Sequence, residues 1–266
     1  MNATTTRFRV LYADLDGTLV GPGGSLFTGP DGAPSGEAAE ALLRLRRAGV
    51  ELVLMSGRTR RGLQEVARTL GARTYVAELG GVLVLEDGTE ILIAGEAPPG
   101  LHPAEELHRS GAAALLLERF PRRLAAVAGE TLVSLMFQGS VDTAEVERVL
   151  RDAGFRWATF VDNGRLRRRP PGLDISEAHA YHLLPRGVSK ASAVRQHREL
   201  RGIPRGATAA IGDSRADLDV RAEVGRLFLV RNGLQALGVE PPAAVTVTEG
   251  TYGAGFAEAV DALLGA

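Results

Sequence analysis

Cysteine is absent from this sequence of 266 residues. Its absence excludes disulfides, thiolate metal sites and a cysteine nucleophile. An excess of either charge is also absent, because 31 Lys and Arg stand against 32 Asp and Glu and leave a net charge of −1. Without an overall field, neither nucleic acid nor an anionic membrane surface is favoured as a partner. No apolar run approaches the roughly 18 residues of a membrane span, so we expect a soluble, cytoplasmic protein.

Short apolar runs alternate with longer helical patterns over most of the chain. With 45% hydrophobic residues, the sequence can bury a full core. The alternation predicts an α/β fold in which helices flank a parallel sheet. Strands are predicted at Phe8–Ala13, Val50–Met55, Thr74–Ala77, Thr208–Ile211 and Leu227–Val230, a hairpin at Val82–Ile93, and helices at Ser35–Ala48, Thr59–Leu70 and Lys190–Leu200.

The middle of the chain, from about Gly95 to Pro185, has a different pattern. Adjacent strands joined by short turns predict an antiparallel sheet with helices on one face. Helices are predicted at His102–Ala128 and Thr143–Ala153, and strands at Thr131–Gln138, Phe155–Asp162, Arg165–Arg169 and Ala178–Leu184, with a turn at Asn163–Gly164. We therefore expect a second domain, residues 95–186, inserted into a first domain that is made of residues 1–94 and 187–266.

Polar residues gather where the predicted parallel strands end. Ligands of open parallel sheets bind beyond the carboxyl ends of the strands, where helix N-termini and loops meet. Three strands deliver polar groups to that edge, and a lysine begins the helix before the last of them: Asp14 with Asp16, Ser56 with Gly57 and Arg58, Asp213 with Asp217, and Lys190. Each group alone also fits helix capping or a turn that ends a strand. Capping does not explain why all four fall at one edge.

Phosphoryl transfer is the chemistry that such a set of residues can support. A carboxylate nucleophile can attack phosphorus once Mg²⁺, held by carboxylates, neutralises the phosphoryl oxygens. A second carboxylate can donate a proton to the leaving oxygen and later take one from water. A lysine, a serine hydroxyl and backbone amides can hold the remaining phosphate oxygens. The sequence contains a residue type for each of these tasks.

Four motifs resemble those of the haloacid dehalogenase superfamily of phosphotransferases. They are "DLDGT" at Asp14–Thr18, "SGR" at Ser56–Arg58, Lys190 within "GVSKASAV", and "GDSRAD" ending at Asp217. The insertion between the second and third motifs is similar to the type-two α/β cap of the type IIB, Cof-like sugar phosphatases. The resemblance spans nearly the whole chain, and it implies a Rossmann-like parallel-sheet core with an inserted α+β cap domain.

The resemblance also implies a role for each motif residue. Asp14 would be the nucleophile that forms an aspartyl-phosphate, and Asp16 would be the general acid and base. The implied cofactor is Mg²⁺, and its ligands would be Asp14, the backbone carbonyl of Asp16 and Asp213, with Asp217 in the metal shell or just behind it. The phosphate would be bound by Ser56, Gly57 and Lys190.

The segments that would contact the rest of the substrate are less regular. The chain departs from the Cof-like pattern at Ala216–Asp217, where Asn-Asp is usual, and at Glu78–Val82 ("ELGGV"), where Asn-Gly-Ala is usual. Candidate substrate contacts are three arginines, Arg58, Arg167 and Arg169, although a strand that alternates Arg with other residues also fits a solvated face. Three other residues of the insertion are expected outside metal chemistry: His179 and His182 on opposite faces of a strand, and Trp157 in the cap core.

The expected function is that of a Mg²⁺-dependent phosphatase for a small phosphorylated metabolite. The substrate class that we expect is a sugar phosphate or a phosphoglycerate-type ester, and the enzyme would act as a monomer or homodimer. A phosphomutase of hexose phosphates is an alternative, because it would use the same residues. A non-catalytic phosphoacceptor or binding protein is a third interpretation, but Asp16 would hasten the loss of its phosphoryl group.

Overall fold

Two β-sheets organise the residues that this computed structural model describes, which are residues 8–21, 23–166, 168–238, 240 and 243–265. Arg167 lies outside the described residues. The strands along the chain are β1 (Val10–Asp14), β2 (Glu51–Met55), β3 (Thr74–Ala77), β4 (Val82–Val84), β5 (Glu90–Leu92), β6 (Leu124–Ala126), β7 (Leu135–Gly139), β8 (Ala158–Arg165), β9 (His179–Pro185), β10 (Thr208–Gly212), β11 (Arg226–Leu229) and β12 (Val245–Val247).

The larger sheet contains the predicted parallel strands. Its order is β12-β11-β10-β1-β2-β3-β4-β5, and the pairs from β12 to β3 are parallel. Strands β4 and β5 add the predicted hairpin as an antiparallel edge. Strand β1 lies inside the sheet, with Val10 opposite Thr208 on one side and Glu51 on the other. All five residues of β1 are buried, as expected for a strand that is covered on both faces.

Helices pack against both sheets. They are α1 (Glu37–Arg47), α2 (Arg60–Leu70), then α3 (Pro103–Arg109), α4 (Ala112–Arg119) and α5 (Thr143–Asp152) in the middle of the chain, and α6 (Lys190–Leu200), α7 (Arg215–Leu218), α8 (Arg231–Leu237) and α9 (Tyr252–Leu264) near its end. Local chemistry sets several boundaries. The Thr59 hydroxyl accepts the Gly62 N–H at the start of α2, and Gly71 ends that helix in the left-handed region at φ 75°. Within the described residues, no helix is long and apolar enough to cross a membrane.

The smaller sheet is antiparallel, and we call it, together with α3, α4 and α5, the antiparallel unit. Its strand order is β6-β7-β9-β8. A separate apolar cluster joins the sheet to these helices, and Trp157 packs against that cluster as expected. The expected α/β fold with an added antiparallel sheet is therefore confirmed, whereas the domain boundaries at residues 94/95 and 186/187 remain a prediction.

The antiparallel unit corrects three predicted elements. The predicted helix His102–Ala128 is instead α3, α4 and β6, because Gly111 turns the chain into the left-handed region at φ 87° between the two helices. The predicted strand Thr131–Gln138 begins only at Leu135, since the N–H groups of residues 132–134 donate to the Glu78 carboxylate rather than to a neighbouring strand.

The third correction concerns the predicted turn at Asn163–Gly164. In place of the separate strands Phe155–Asp162 and Arg165–Arg169, the structure has one strand, β8, which ends at Arg165 and has an irregularity in its pairing to β9 between Asp162 and Arg165. Gly164 has φ 104°, which fits a bulge as well as a turn, so the Asn-Gly pair alone does not distinguish them.

Candidate active site

Polar side chains from several strands meet at the carboxyl edge of the larger sheet. Asp14 ends β1, Ser56 follows β2, and Asp213 follows β10. Because β1 pairs in parallel with both β2 and β10, these three strand ends lie side by side. The predicted gathering of motif residues at one edge is therefore present in the structure.

Lys190 connects two buried carboxylates at this edge. Its Nζ donates to Asp14 Oδ1 at 2.6 Å and to Asp217 Oδ1 at 2.8 Å. All three side chains are almost fully buried, with 2% of Lys190 exposed. Lys190 is the first residue of α6, and the hydroxyl of Ser189 caps that helix by accepting the Ser192 N–H. Buried ionised groups that bond in this way hold one another in a defined geometry.

Asp217 is a supporting carboxylate as well as a partner of Lys190. Its Oδ2 accepts hydrogen bonds from the Ser214 hydroxyl at 2.6 Å and from the backbone N–H groups of Ser214 and Asp213 at 3.0 and 3.2 Å. Gly212 allows this approach, because a Cβ there would collide with the Asp217 side chain. Asp217 therefore fixes the loop that carries Asp213.

Asp213 can reach the cluster because the residue that faces it, Gly17, has no side chain. Gly17 adopts φ 93°, and a Cβ there would collide with the Asp213 carboxylate. Asn232 supports the same turn, since its Nδ2 donates to the Gly17 carbonyl at 2.8 Å while its Oδ1 accepts the Tyr252 N–H at 2.9 Å. Sequence reasoning missed Asn232, although it follows β11 at the same sheet edge and the rule that found Asp213 applies to it.

The charges of the cluster are unbalanced. Three carboxylates, Asp14, Asp213 and Asp217, face one ammonium group, which leaves two negative charges in a largely buried place. Burial raises the pKa of Asp14 to about 7, with Asp217 adding to the rise and Lys190 opposing it. Burial and the other two carboxylates likewise raise the pKa of Asp213. Burial alone would lower the pKa of Lys190, but Asp14 and Asp217 outweigh it and raise that pKa.

These residues fit a divalent cation. Ligand oxygens of Asp14, Asp213 and Asp217 lie within 4.8 Å of one another. Asp14 Oδ2 is buried and has no hydrogen-bond partner among the residues that the structure describes. Carboxylate oxygens are the ligands that Mg²⁺ uses in proteins, and two positive charges would balance the excess. The donor set and its charge therefore match the Mg²⁺ that the sequence predicts.

Asp16 lies near this cluster, but its carboxylate is bonded elsewhere. Both of its oxygens accept from Arg58, with Nε to Oδ2 at 2.8 Å and Nη2 to Oδ1 at 2.6 Å. Arg58 also bonds to the predicted phosphate-binding loop, since the Ser56 hydroxyl accepts the Arg58 backbone N–H at 3.1 Å. The structure thus pairs two candidate site residues, Asp16 and Arg58, that the sequence did not predict to contact each other.

The loop at Gly57 is in contact with the antiparallel unit. A Cβ at Gly57 would collide with Asn163 of β8 and would lie 3.1 Å from Nε2 of His182 of β9. His182 is fully buried, whereas His179 is partly exposed and bonds to Asp162 at 2.7 Å, so the two histidines do face opposite sides of β9. Sequence reasoning missed the contact of His182 with the loop, because nothing in the sequence tells which loop faces that strand.

Glu78 is a third residue that sequence reasoning missed. It is fully buried after β3, and its carboxylate accepts the backbone N–H groups of residues 132–134 in the antiparallel unit at 2.9 to 3.2 Å. An acidic residue inside the apolar stretch "TYVAELGGVLVL" was a signal, because a buried carboxylate has to find donors. Arg169, in contrast, is exposed and donates to the Ile175 carbonyl at 3.1 Å, a contact within its own loop.

Comparisons with known proteins agree with this architecture. A family model described as haloacid dehalogenase-like hydrolase matches residues 11–99 and 168–250. A phosphoglycolate phosphatase of Pyrobaculum neutrophilum is 32% identical over 260 residues, with 96% of each chain covered. A phosphoglycolate phosphatase of Pyrobaculum aerophilum is 29% identical with the same coverage.

Solved structures resemble the fold over its whole length. The sucrose-phosphatase of Synechocystis, solved with sucrose and phosphate, has a TM-score of 0.68 at 16% identity, with 96% of this chain and 97% of that chain covered. A protein of Thermoplasma acidophilum has a TM-score of 0.66 at 20% identity, with 96% and 98% covered. At these identities the likeness concerns the fold.

Proposed function

The chain belongs to the family of haloacid dehalogenase-like hydrolases and is a phosphatase of small phosphate esters, and from this premise we propose that it hydrolyses a short phosphorylated acid such as phosphoglycolate. The proposal includes Mg²⁺ as the cofactor and Asp14 as the nucleophile. Curated relatives from several archaea carry the name phosphoglycolate phosphatase, which favours this substrate over the sugar phosphates that the sequence also suggests.

The observation that carries the proposal is the buried cluster of Asp14, Lys190, Asp213 and Asp217. A carboxylate oxygen of Asp14 would attack phosphorus and form an aspartyl-phosphate, while the hydrogen bond from Lys190 to Oδ1 at 2.6 Å fixes the carboxylate plane. Asp14 and Asp213 would hold Mg²⁺ together with the Asp16 carbonyl, and Asp217 would anchor the Asp213 loop. The metal, when bound, supplies charge that neutralises the phosphoryl oxygens.

Asp16 would move the proton in both halves of the reaction. It would donate a proton to the leaving alkoxide and later take one from the water that attacks the aspartyl-phosphate. Its pair with Arg58 occupies both carboxylate oxygens, so Asp16 must part from Arg58 before it can serve a leaving oxygen. Arg58 would then be free to bind an anionic oxygen of the substrate.

A panel of phosphate esters with Mg²⁺ tests the proposal. The wild-type protein is incubated with phosphoglycolate, 3-phosphoglycerate and glucose 1-phosphate, and released phosphate is measured. We expect release from phosphoglycolate, loss of turnover by more than about a thousandfold in Asp14→Asn, and loss on chelation of the metal. Asp261→Asn is the matched control, because that exposed carboxylate pairs with Arg44 at 2.9 Å on the surface.

Three results would contradict the proposal. Turnover that survives in Asp14→Asn would remove Asp14 as the nucleophile, and slow phosphate release from a stable aspartyl-phosphate would indicate a phosphoacceptor. Conversion of glucose 1-phosphate into the 6-phosphate, without release of phosphate, would identify a phosphomutase instead.

A further inference from the structure

We propose that His182 of the antiparallel unit binds the substrate, by donating a hydrogen bond from Nε2 to an anionic oxygen of the phosphate ester. Glu78 and Ser134 act behind it as positioning residues. The inference rests on the proposed function, because it names the residue with which the antiparallel unit contacts the substrate of that same site.

The first observation is an unpartnered nitrogen at the predicted phosphate-binding loop. His182 is fully buried, and within the described part of the chain no group bonds to its Nε2. That atom would lie 3.1 Å from a Cβ placed on Gly57, so it is close to the backbone of the loop between Ser56 and Arg58. Buried polar atoms without a partner are uncommon in folded proteins, so this nitrogen is available to a ligand held at the predicted phosphate-binding loop.

The second observation is a chain of contacts that orients the ring. The other ring nitrogen, Nδ1, lies 3.1 Å from the Ser134 hydroxyl oxygen. The Ser134 backbone N–H donates in turn to Glu78 Oε2 at 3.0 Å. When the Ser134 hydroxyl donates to Nδ1, the ring proton resides on Nε2, which makes Nε2 a donor.

The third observation is that Glu78 belongs to the same part of the core as the loop. Its N–H donates to the Arg58 carbonyl at 3.0 Å, and the N–H of Leu79 donates to the Ser56 carbonyl at 3.2 Å. The contacts therefore form a continuous series that runs from the loop through Glu78 and Ser134 to His182, which lies against Gly57 of the same loop. A ring held in this way can discriminate between ligands, because its direction is set before the ligand binds.

The charge state of the ring suits an anionic ligand. Burial, with a contribution from Lys190, lowers the pKa of His182 to about 4, so the ring is neutral near pH 7. A neutral donor adds a hydrogen bond without adding a further buried cation beside Lys190. Asp14 Oδ2 and His182 Nε2 are both enclosed, so the groups around each atom must move before a ligand can reach it.

Variants of His182 test the inference. His182→Asn keeps a group near Nδ1 and removes the Nε2 donor, whereas His182→Gln restores an amide N–H near the Nε2 position. We expect His182→Asn to raise KM for phosphoglycolate by about tenfold to a hundredfold with kcat little changed, and His182→Gln to recover most of the loss. His179→Asn is the matched control, since His179 is on the opposite face of β9, and its kinetics should stay those of the wild type.

Binding measurements separate this inference from the proposed function. Phosphoglycolate and inorganic phosphate are titrated by calorimetry into Asp14→Asn and into Asp14→Asn/His182→Asn, which needs no turnover. Weaker binding of phosphoglycolate alone identifies its carboxylate as the partner of Nε2, and equally weaker binding of both ligands identifies a phosphoryl oxygen. Absence of phosphatase activity in the wild type would overturn the proposed function, but the titrations would still show whether His182 binds the ligands.

The inference is overturned if the double variant binds both ligands as tightly as Asp14→Asn. It is also overturned if His182→Asn and His182→Gln lower Tm and raise KM to the same extent, because packing alone would then account for the ring. Ser134→Ala tests the positioning role. It should raise KM in the same direction as His182→Asn, with kcat little changed.

Discussion

Replacing Glu78 should weaken the attachment of the antiparallel unit more than replacing any exposed carboxylate would. The carboxylate accepts N–H groups from Leu132, Val133 and Ser134, and the last two residues are fully buried. Each buried N–H that loses its acceptor costs about 1–3 kcal/mol, so the two together give about 2–6 kcal/mol for Glu78→Ala. Glu78→Gln should cost less, about 1–3 kcal/mol, because the amide oxygen still accepts while its nitrogen faces a donor.

Urea unfolding followed by two signals measures this effect. The single tryptophan, Trp157, packs against the core of the antiparallel unit and reports that unit by fluorescence, while circular dichroism reports the whole chain. We expect the fluorescence transition of both variants to shift to lower urea. Glu106→Gln is the control, because Glu106 is also buried but its carboxylate pairs with the exposed Arg109 at 2.7 Å, on its own helix. A Glu78→Gln protein as stable as the wild type in both signals would refute the reasoning.

Two further predictions concern Gly17 and His182. Gly17→Ala should abolish Mg²⁺ binding in calorimetry, since a Cβ at φ 93° would collide with Asp213. Gly23→Ala is the control, because Gly23 has a similar φ of 87° but a Cβ there would meet nothing within 4 Å. That variant should lose only about 1–3 kcal/mol of stability to backbone strain and should still bind the metal. His182 has a pKa of about 4 when folded against an ordinary 6.5, so its contribution to stability is full above pH 6.5 and is lost as the pH falls toward 4, by up to about 3 kcal/mol. The urea midpoint of wild type should therefore fall more than that of His182→Gln between pH 7 and pH 4.5, and parallel curves would contradict this.

The parallel half of the fold and its acidic edge could be predicted because their signals are local. A strand that is buried on both faces, such as Val10–Asp14, reads as a continuous apolar run, and its end is marked by the first polar residue. Parallel pairing then brings Asp14, Ser56 and Asp213 to one edge without any knowledge of side-chain packing. Lys190 reaches the same edge, but its hydrogen bonds to Asp14 and Asp217 were not predicted from the sequence.

The antiparallel unit was harder to predict because its boundaries depend on contacts far along the chain. Residues 132–134 have the composition of a strand, but a carboxylate more than 50 residues earlier takes their N–H groups. The Asn163–Gly164 pair fits a two-residue turn, and only the pairing of its neighbours with β9 shows that it is a bulge. Which loop His182 meets depends on how two sheets pack, and no local pattern encodes that.

The segment "ELGGV" connects the larger sheet with the antiparallel unit. Glu78 holds the antiparallel unit through its carboxylate, the N–H of Leu79 donates to the Ser56 carbonyl, and Gly80 packs so closely on Ser189 that a Cβ there would collide with its carbonyl. One short segment thus contacts the Ser56–Arg58 loop, the helix that begins with Lys190 and the antiparallel unit. The departure from the Cof-like pattern falls at this junction, so a change there would act on all three contacts. Differences in substrate among proteins with this edge can therefore originate at the junction as well as in the antiparallel unit itself.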